Sequence, residues 1–406
     1  MGVAADVYAQ ELGCYNHGLP LWTPEPADDY EIRVGDVGHI DEDGQFHRLF
    51  NVTVGADHPY NRGGVPDDFT PLSFQSRLFS VKPKQLSPGP ISSKSVKSHE
   101  IGGSASVNPT GAVGAGLSYK FDCSKDQGAV LVLTDYAKKT MVLPSVSFTT
   151  YMKKNHANWY AFAINPQTYG LSCRPEDIIL VRGTVKTSAW ALGAYTENGS
   201  TVRDVSFTGQ AGSIASAGFK HAASSSASAQ FEYRMGPSDA ASVRTSRRAV
   251  AAGKAVARPD EQELPEIIAE RRDGVESAID ADNTDNQCVF LGYYKVKYRI
   301  FNFKKIAAAA GPADLQSDED VDMEGAAAVA IDPEPEIESV PTPTKFRNPV
   351  DDVLDYILEK DENVQVAIAC DGDVEDLLQG SEMPENFAQY LKDLLPRIDV
   401  DEEGSE

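Results

Sequence analysis

The alternation of apolar and polar positions divides this chain into strand-forming stretches, one long amphipathic helix and two stretches with no period. Ile32-Arg33-Val34-Gly35-Asp36-Val37-Gly38-His39-Ile40 alternates with period two, as a half-buried strand does. Asp41-Glu42-Asp43-Gly44 follows, and its Asp-Gly pair favours a tight hairpin. Phe46, Leu49, Phe50, Val52 and Val54 supply the return strand. The unbroken apolar run from Gly128 to Leu133 predicts a strand covered on both faces. Phe148, Met152, Asn155, Trp159 and Phe162 recur every three or four residues, which predicts a helix from Ser147 to Ala163. Trp159 is expected to face the 128–133 strand. Further strands are predicted at 177–181, 188–195 and 287–301, the last completing the sheet from far along the chain.

Two segments share a design. Residues 91–122 are rich in Ser, Gly, Ala and Val and end in Leu117-Ser118-Tyr119-Lys120-Phe121-Asp122. Residues 201–235 have the same bias and end in Ala229-Gln230-Phe231-Glu232-Tyr233-Arg234-Met235. In each ending one face is apolar and the other polar. Both segments predict antiparallel hairpins or paired strands built from small residues.

The aperiodic stretches mark boundaries. Residues 236–285 are rich in Ala, Arg and Glu and hold no aromatic side chain, which predicts an exposed insertion. Residues 306–346 combine an Ala run, an acidic cluster and repeated Pro pairs, which predicts an acidic disordered linker. A small module follows over 347–400. Val350, Val353, Leu354, Ile357 and Leu358 fit a helix with Asn348 as its cap and Pro349 at its first position. Val364 to Ala369 predicts a strand, and Val374, Leu377 and Leu378, then Phe387, Tyr390, Leu391, Leu394 and Leu395, predict two short helices. The expected fold class is α+β: a β-rich body of antiparallel sheets or a sandwich over 1–305, with one main helix, and a C-terminal αβ module.

Charge sharpens this division. The net charge of −24 lies almost wholly in residues 311–406, which carry 28 acidic and 5 basic side chains. The body is near neutral, and the acidic part has the character of a solvated interaction segment. No apolar run reaches the roughly 18 residues of a membrane helix. The start, MGVAADVYAQELG, matches neither a secretory signal nor a myristoylation motif. Cys14, Cys123, Cys173, Cys288 and Cys370 stand far apart, with no C-x-x-C, which predicts free thiols and a cytoplasmic, reducing setting. Asn51-Val-Thr and Asn198-Gly-Ser match glycosylation sequons by pattern alone.

Candidate chemistry is sparse. Seven histidines form no H-x-x-x-H pair; His39 and His47 flank the predicted hairpin, with Asp57-His58 nearby, at loose spacing for a metal. Asp371-Gly372-Asp373 opens like a calcium loop, but Asp376 stands where that loop requires glycine, so a helix start is the better reading. Gly111-Ala-Val-Gly-Ala-Gly116 lacks the Lys-Ser/Thr of a phosphate loop. No catalytic, cofactor or metal site is therefore expected, and no nucleic-acid partner, since the basic cluster lacks stacking aromatics. That cluster, Arg244, Arg247 and Arg248, is a candidate docking point for the chain's own acidic part.

Several motifs resemble those of an uncharacterised protein family of mushroom-forming (basidiomycete) fungi. They are Leu21-Trp22-Thr-Pro24-Glu25-Pro26 with Ile32 to Gly38 and Ala56-Asp57-His58-Pro59; Gly128 to Leu133 with Trp159-Tyr160, Gly183 and Trp190; Asn286 to Leu291; and the module's Asn348 to Val353 with Val366 to Ala369. The resemblance implies these fold boundaries and a fungal intracellular setting. The leading expectation is a non-enzymatic interaction or regulatory protein with a protein partner. The alternative is a membrane-active, pore-forming protein of gasdermin-like or toxin-like logic, using amphipathic hairpins 91–122 and 201–235.

Overall fold

The computed structural model describes residues 3–13, 17–27, 30–73, 76–107, 113–123, 127–197, 205–211, 218–222, 229–237, 285–299, 346–384 and 386–400. The expected linker and insertion, and Arg244, Arg247 and Arg248 with them, lie outside the described residues. What is described is β-rich, with several antiparallel sheets, few helices and a small C-terminal helical module.

An eight-stranded sheet forms the frame. Its central path runs β1 (Leu19–Pro20), β15 (Gln287–Tyr298), β10 (Ile179–Thr187), β2 (Asp36–Ile40) and β3 (Phe46–Asn51). β9 (Ala137–Val142) also pairs with β10, and β4 (Phe79–Leu86) pairs with β9. The long helix α2 (Val146–Ile164) covers one face, with Ser145 capping its first turn. Phe148, Met152, Trp159 and Phe162 are buried there, as their spacing predicts. Trp159, however, packs against Phe50, with ring centroids 6.0 Å apart, and not against the 128–133 strand. Helical period identifies a buried face without saying which element covers it.

The 128–133 run lies in a second sheet, in the order β14 (Ala229–Gly236), β11 (Trp190–Glu197), β8 (Gln127–Leu133) and β5 (Gly89–Ser92). Both its faces are covered. Ala129, Leu131 and Leu133 join a core with helix α1 (Val3–Leu12), while Val130 and Val132 face a third sheet. That third sheet has the order β13 (Gly218–Ala222), β12 (Val205–Ala211), β7 (Val113–Cys123) and β6 (Val96–Val107).

The C-terminal module is part of the frame. Its helices are α3 (Pro349–Lys360), α4 (Asp371–Leu378) and α5 (Phe387–Leu394), and its strand β16 (Val366–Cys370) pairs antiparallel with Tyr294–Tyr298 of β15. Asn348 caps α3 by accepting from the Val350 amide at 3.0 Å, with Pro349 following. Leu354, Ala369, Leu378 and Leu391 share one core with Leu21, Phe46, Val181 and Leu291 of the body. A module this small is marginal alone; here the body completes its core.

Candidate functional site

Strands of the two small-residue segments meet in one sheet, where β7 pairs with β12, while the ending Ala229–Met235 lies in β14 of the second sheet. Each folds as a hairpin, β6–β7 and β12–β13, and β7 joins them through β12. The register sorts their residues into alternating rows. Val96, Cys123 and Val205 form one row; Ser98, Phe121, Phe207 and His221 the next on that face; then Glu100, Tyr119, Gly209 and Phe219; then Gly103, Leu117 and Ala211; then Ala105 with Ala115, and Val107 with Val113. The intervening rows hold Lys97, Asp122, Ser206 and Ala222; His99, Lys120, Thr208 and Lys220; Gly102, Ser118, Gln210 and Gly218; then Ser104 with Gly116, and Ser106 with Gly114. Successive rows alternate between faces; one carries the large apolar residues together with Glu100 and His221, and the other carries the lysines. β6 and β7 span 12 and 11 residues, the length of a membrane-crossing strand. Near their bases Val96, Tyr119, Phe121 and Cys123 are buried against Val130, Val132, Ala191 and Tyr195 of the second sheet.

The two sheets are continuous in chain, position by position. β5 runs into β6, β7 into β8, β11 into β12 and β13 into β14, and the strand orders match. The third sheet thus continues the strands of the second in the same order, and of the four connections the one between β5 and β6 lies wholly within the described residues. At the β5–β6 corner, Ser93 Oγ lies 2.8 Å from Ser95 Oγ and accepts from the Ala129 amide at 3.0 Å. Glu11 of α1 accepts from Ser95 Oγ and from Gln127 Nε2, each at 3.0 Å. The corner closes tightly over Gly128, where a Cβ atom would lie 2.5 Å from the Val96 side chain.

The module is held by charges that sequence reading passed over. Arg182 sits at a bulge of β10, 2 % exposed, and donates to both carboxylate oxygens of Asp371, at 2.7 and 3.2 Å. The Asp371 carboxylate also accepts from the Tyr293 amide at 2.9 Å, and raises the Arg182 pKa against the lowering effect of burial. Gly372 lets the guanidinium approach, since a Cβ there would lie 2.5 Å from Arg182 Nη2. Lys295 pairs with Asp351, Lys297 with Asp355 at 2.5 Å, and Arg299 donates to the carbonyls of Leu358, Asp361 and Val364. The signal was the period-two run Lys295-Val-Lys297-Tyr-Arg299, which puts three cations on one face of β15. These charge contacts join the module to β10 and to the end of β15.

Of the other candidates, His39 and His47 do meet across the hairpin, their rings stacked 5.4 Å apart, with Asp41 2.6 Å from His47. His58 instead lies against Tyr60 with the rings tilted by 59°, and among the described residues no group of three or more His, Cys, Asp or Glu is placed to hold a metal. Asp371 opens α4, where Asp373 accepts from the Cys370 amide at 2.7 Å. Cys123, Cys173, Cys288 and Cys370 are free thiols. No helix among the described residues is long and apolar enough to cross a membrane, which says nothing of strands.

Compared with known families, curated proteins and solved structures, the chain matches none.

Proposed function

We propose that this chain is a membrane-active protein whose folded-back sheet opens to insert its two hairpins, with the C-terminal module as the restraint. The observation that carries this reading is the matched strand order of the second and third sheets. β5, β8, β11 and β14 are each joined in chain to the strand at the same place in the third sheet, so the order of strands need not change on opening. Insertion also needs one apolar face and one polar face on strands of about ten residues. β6 and β7 have that length, and their rows at Val96, Cys123 and Val205 and at Leu117 and Ala211 are free of charge, which supports this reading over a general interaction role. The reading keeps the expectation of a non-enzymatic protein.

The test is dye release from vesicles of phosphatidylcholine and phosphatidylserine, using the full chain with a protease site placed within 306–346. Release is expected only after the cut. Leu117→Lys with Ala211→Lys puts charge on the apolar rows, at about 2–4 kcal/mol each in mid-bilayer, and should abolish release. Silence after a verified cut would sink the proposal, as would undiminished release by the charged variant.

A further inference from the structure

We infer that the opened sheet assembles with further copies of this chain into a ring, the β5–β6 edge of one copy pairing with the β13–β14 edge of the next, an inference that rests on the membrane reading above. Strand number calls for the second copy. The second and third sheets each hold four strands. Closed barrels begin at about eight strands, which interior side chains fill, and an aqueous channel takes about 16. One chain therefore encloses no channel, whereas about four copies supply the strands for one. The edges are open: among the described residues no strand pairs with the outer side of β5, β6, β13 or β14.

Strand direction selects which edges meet. Every neighbouring pair in both sheets is antiparallel, so the two edges of a four-stranded row run in opposite directions. The ends of the two hairpins lie together, since Leu117 near the start of β7 pairs with Ala211 at the end of β12. Copies entering a bilayer from one side must point these ends the same way and turn the same face to the lipid. Pairing an edge with its own counterpart breaks one condition: an antiparallel match reverses the hairpin ends, and a parallel match turns the sheet over. Pairing the first edge with the second keeps both, and the contact is antiparallel like the rest of the sheet. Such a contact is heterologous and generates a ring when the rotation closes. Composition favours the same stretch. Natural sheet edges are blunted by proline, lysine or a bulge. The base of the first edge has all three, in Pro90, Lys97 and the register shift between Glu100 and Gly102. From Gly102 to Val107, toward the hairpin end, it has none of them, and β13 and β14 contain no proline.

The experiment uses the full chain cut within 306–346 on vesicles of phosphatidylcholine and phosphatidylserine, with copies counted by cross-linking and by ultracentrifugation in detergent. The wild type should form assemblies of about four copies or more. Proline is placed on the first edge at Ser104 or Ala105, and on the second at Phe219 or Lys220. Of two neighbouring residues one points its N–H to the open side, where proline is tolerated, so the variant of each pair with unchanged thermal unfolding is used. Each edge variant alone should stay monomeric and release no dye. Mixed in equal amounts they should form dimers and still release none, because one open edge of each kind remains. Dimers of either variant alone would mean that like edges pair and would overturn the ring. Dye release by the wild type that proline at either edge leaves unchanged would overturn the ring and leave the pore. Assemblies of the expected size that proline abolishes, without dye release, would leave the ring standing and remove the pore. Where an edge tolerates no proline, the wild-type copy count decides: monomers or dimers on vesicles after a verified cut would overturn the inference.

Discussion

At the scale of single residues, burial decides which side chains respond to pH. His156 is fully buried on α2, with Nδ1 3.1 Å from the Tyr298 hydroxyl and Nε2 3.3 Å from the Ile178 carbonyl. A neutral imidazole satisfies both contacts, accepting from the hydroxyl and donating to the carbonyl. Burial pushes its pKa down from 6.5 to about 4, against the opposing hydrogen bonds to Ile178 and Pro175. In the unfolded chain the group protonates near 6.5, so between that pH and about 4 the unfolded state binds the extra proton. Stability from this site is complete above 6.5 and is lost as pH falls through that window, by about 3 kcal/mol in all. Asp36 works in the opposite sense: burial holds its carboxyl up at about 6, despite Arg48 and Asn51, so acid relieves its charge in the folded state. The two effects overlap, and only a variant separates them. His156→Gln should lose less stability than the wild type between pH 6.5 and 4 in urea titrations. Parallel curves for the two proteins would show that His156 does not titrate with unfolding.

At the scale of elements, legibility in the sequence followed the period of the pattern. Helix α2, β8 and the β2–β3 hairpin were legible because each has one regular face or one unbroken run. Helix α1 was not: Ala4, Ala5, Val7, Tyr8, Ala9 and Leu12 are buried nearly all round, so no amphipathic period exists to detect. Both small-residue hairpins were legible, but their union was not. Register between β7 and β12 is set by tertiary contact across a long separation, and nothing local encodes it. The Arg182–Asp371 pair was hidden for the same reason, its partners standing 189 residues apart. The corner at Gly128 yields a prediction that belongs to this scale. Gly128→Val puts branched atoms where the Val96 side chain already lies, so β6 must lift from β8. The expected cost is about 1–3 kcal/mol, read from the urea midpoint, with faster amide exchange in β6 than in β10. An unaltered midpoint would mean that the corner is loose and that the fold-back is not sterically fixed there.

At the scale of the whole molecule, the question is what keeps the module seated. Acidic charge alone would hold it weakly, since exposed ion pairs are worth little and salt screens them. Lys94 with Glu382 and Lys392 with Glu359 are pairs of that exposed kind. The buried fork of Arg182 on Asp371 is different, because each partner has given up water. Asp371→Ala would leave the guanidinium and the Tyr293 amide buried without their acceptor, at a cost of about 3–5 kcal/mol. That loss falls on the seam between β16 and β15, so β16 and the module should open before the rest of the eight-stranded sheet does. Amide exchange at Tyr294–Tyr298 should therefore quicken more in Asp371→Ala than exchange in β10 or β11. Replacing both partners with apolar residues, Arg182→Met with Asp371→Leu, should restore protection, since paired loss of buried charge is often neutral or stabilising. If the module is the restraint, uncut Asp371→Ala should also release dye from vesicles that the wild type leaves intact, and the apolar double variant should not. Faster exchange at the seam without dye release would show that the module braces the sheet but does not govern the hairpins.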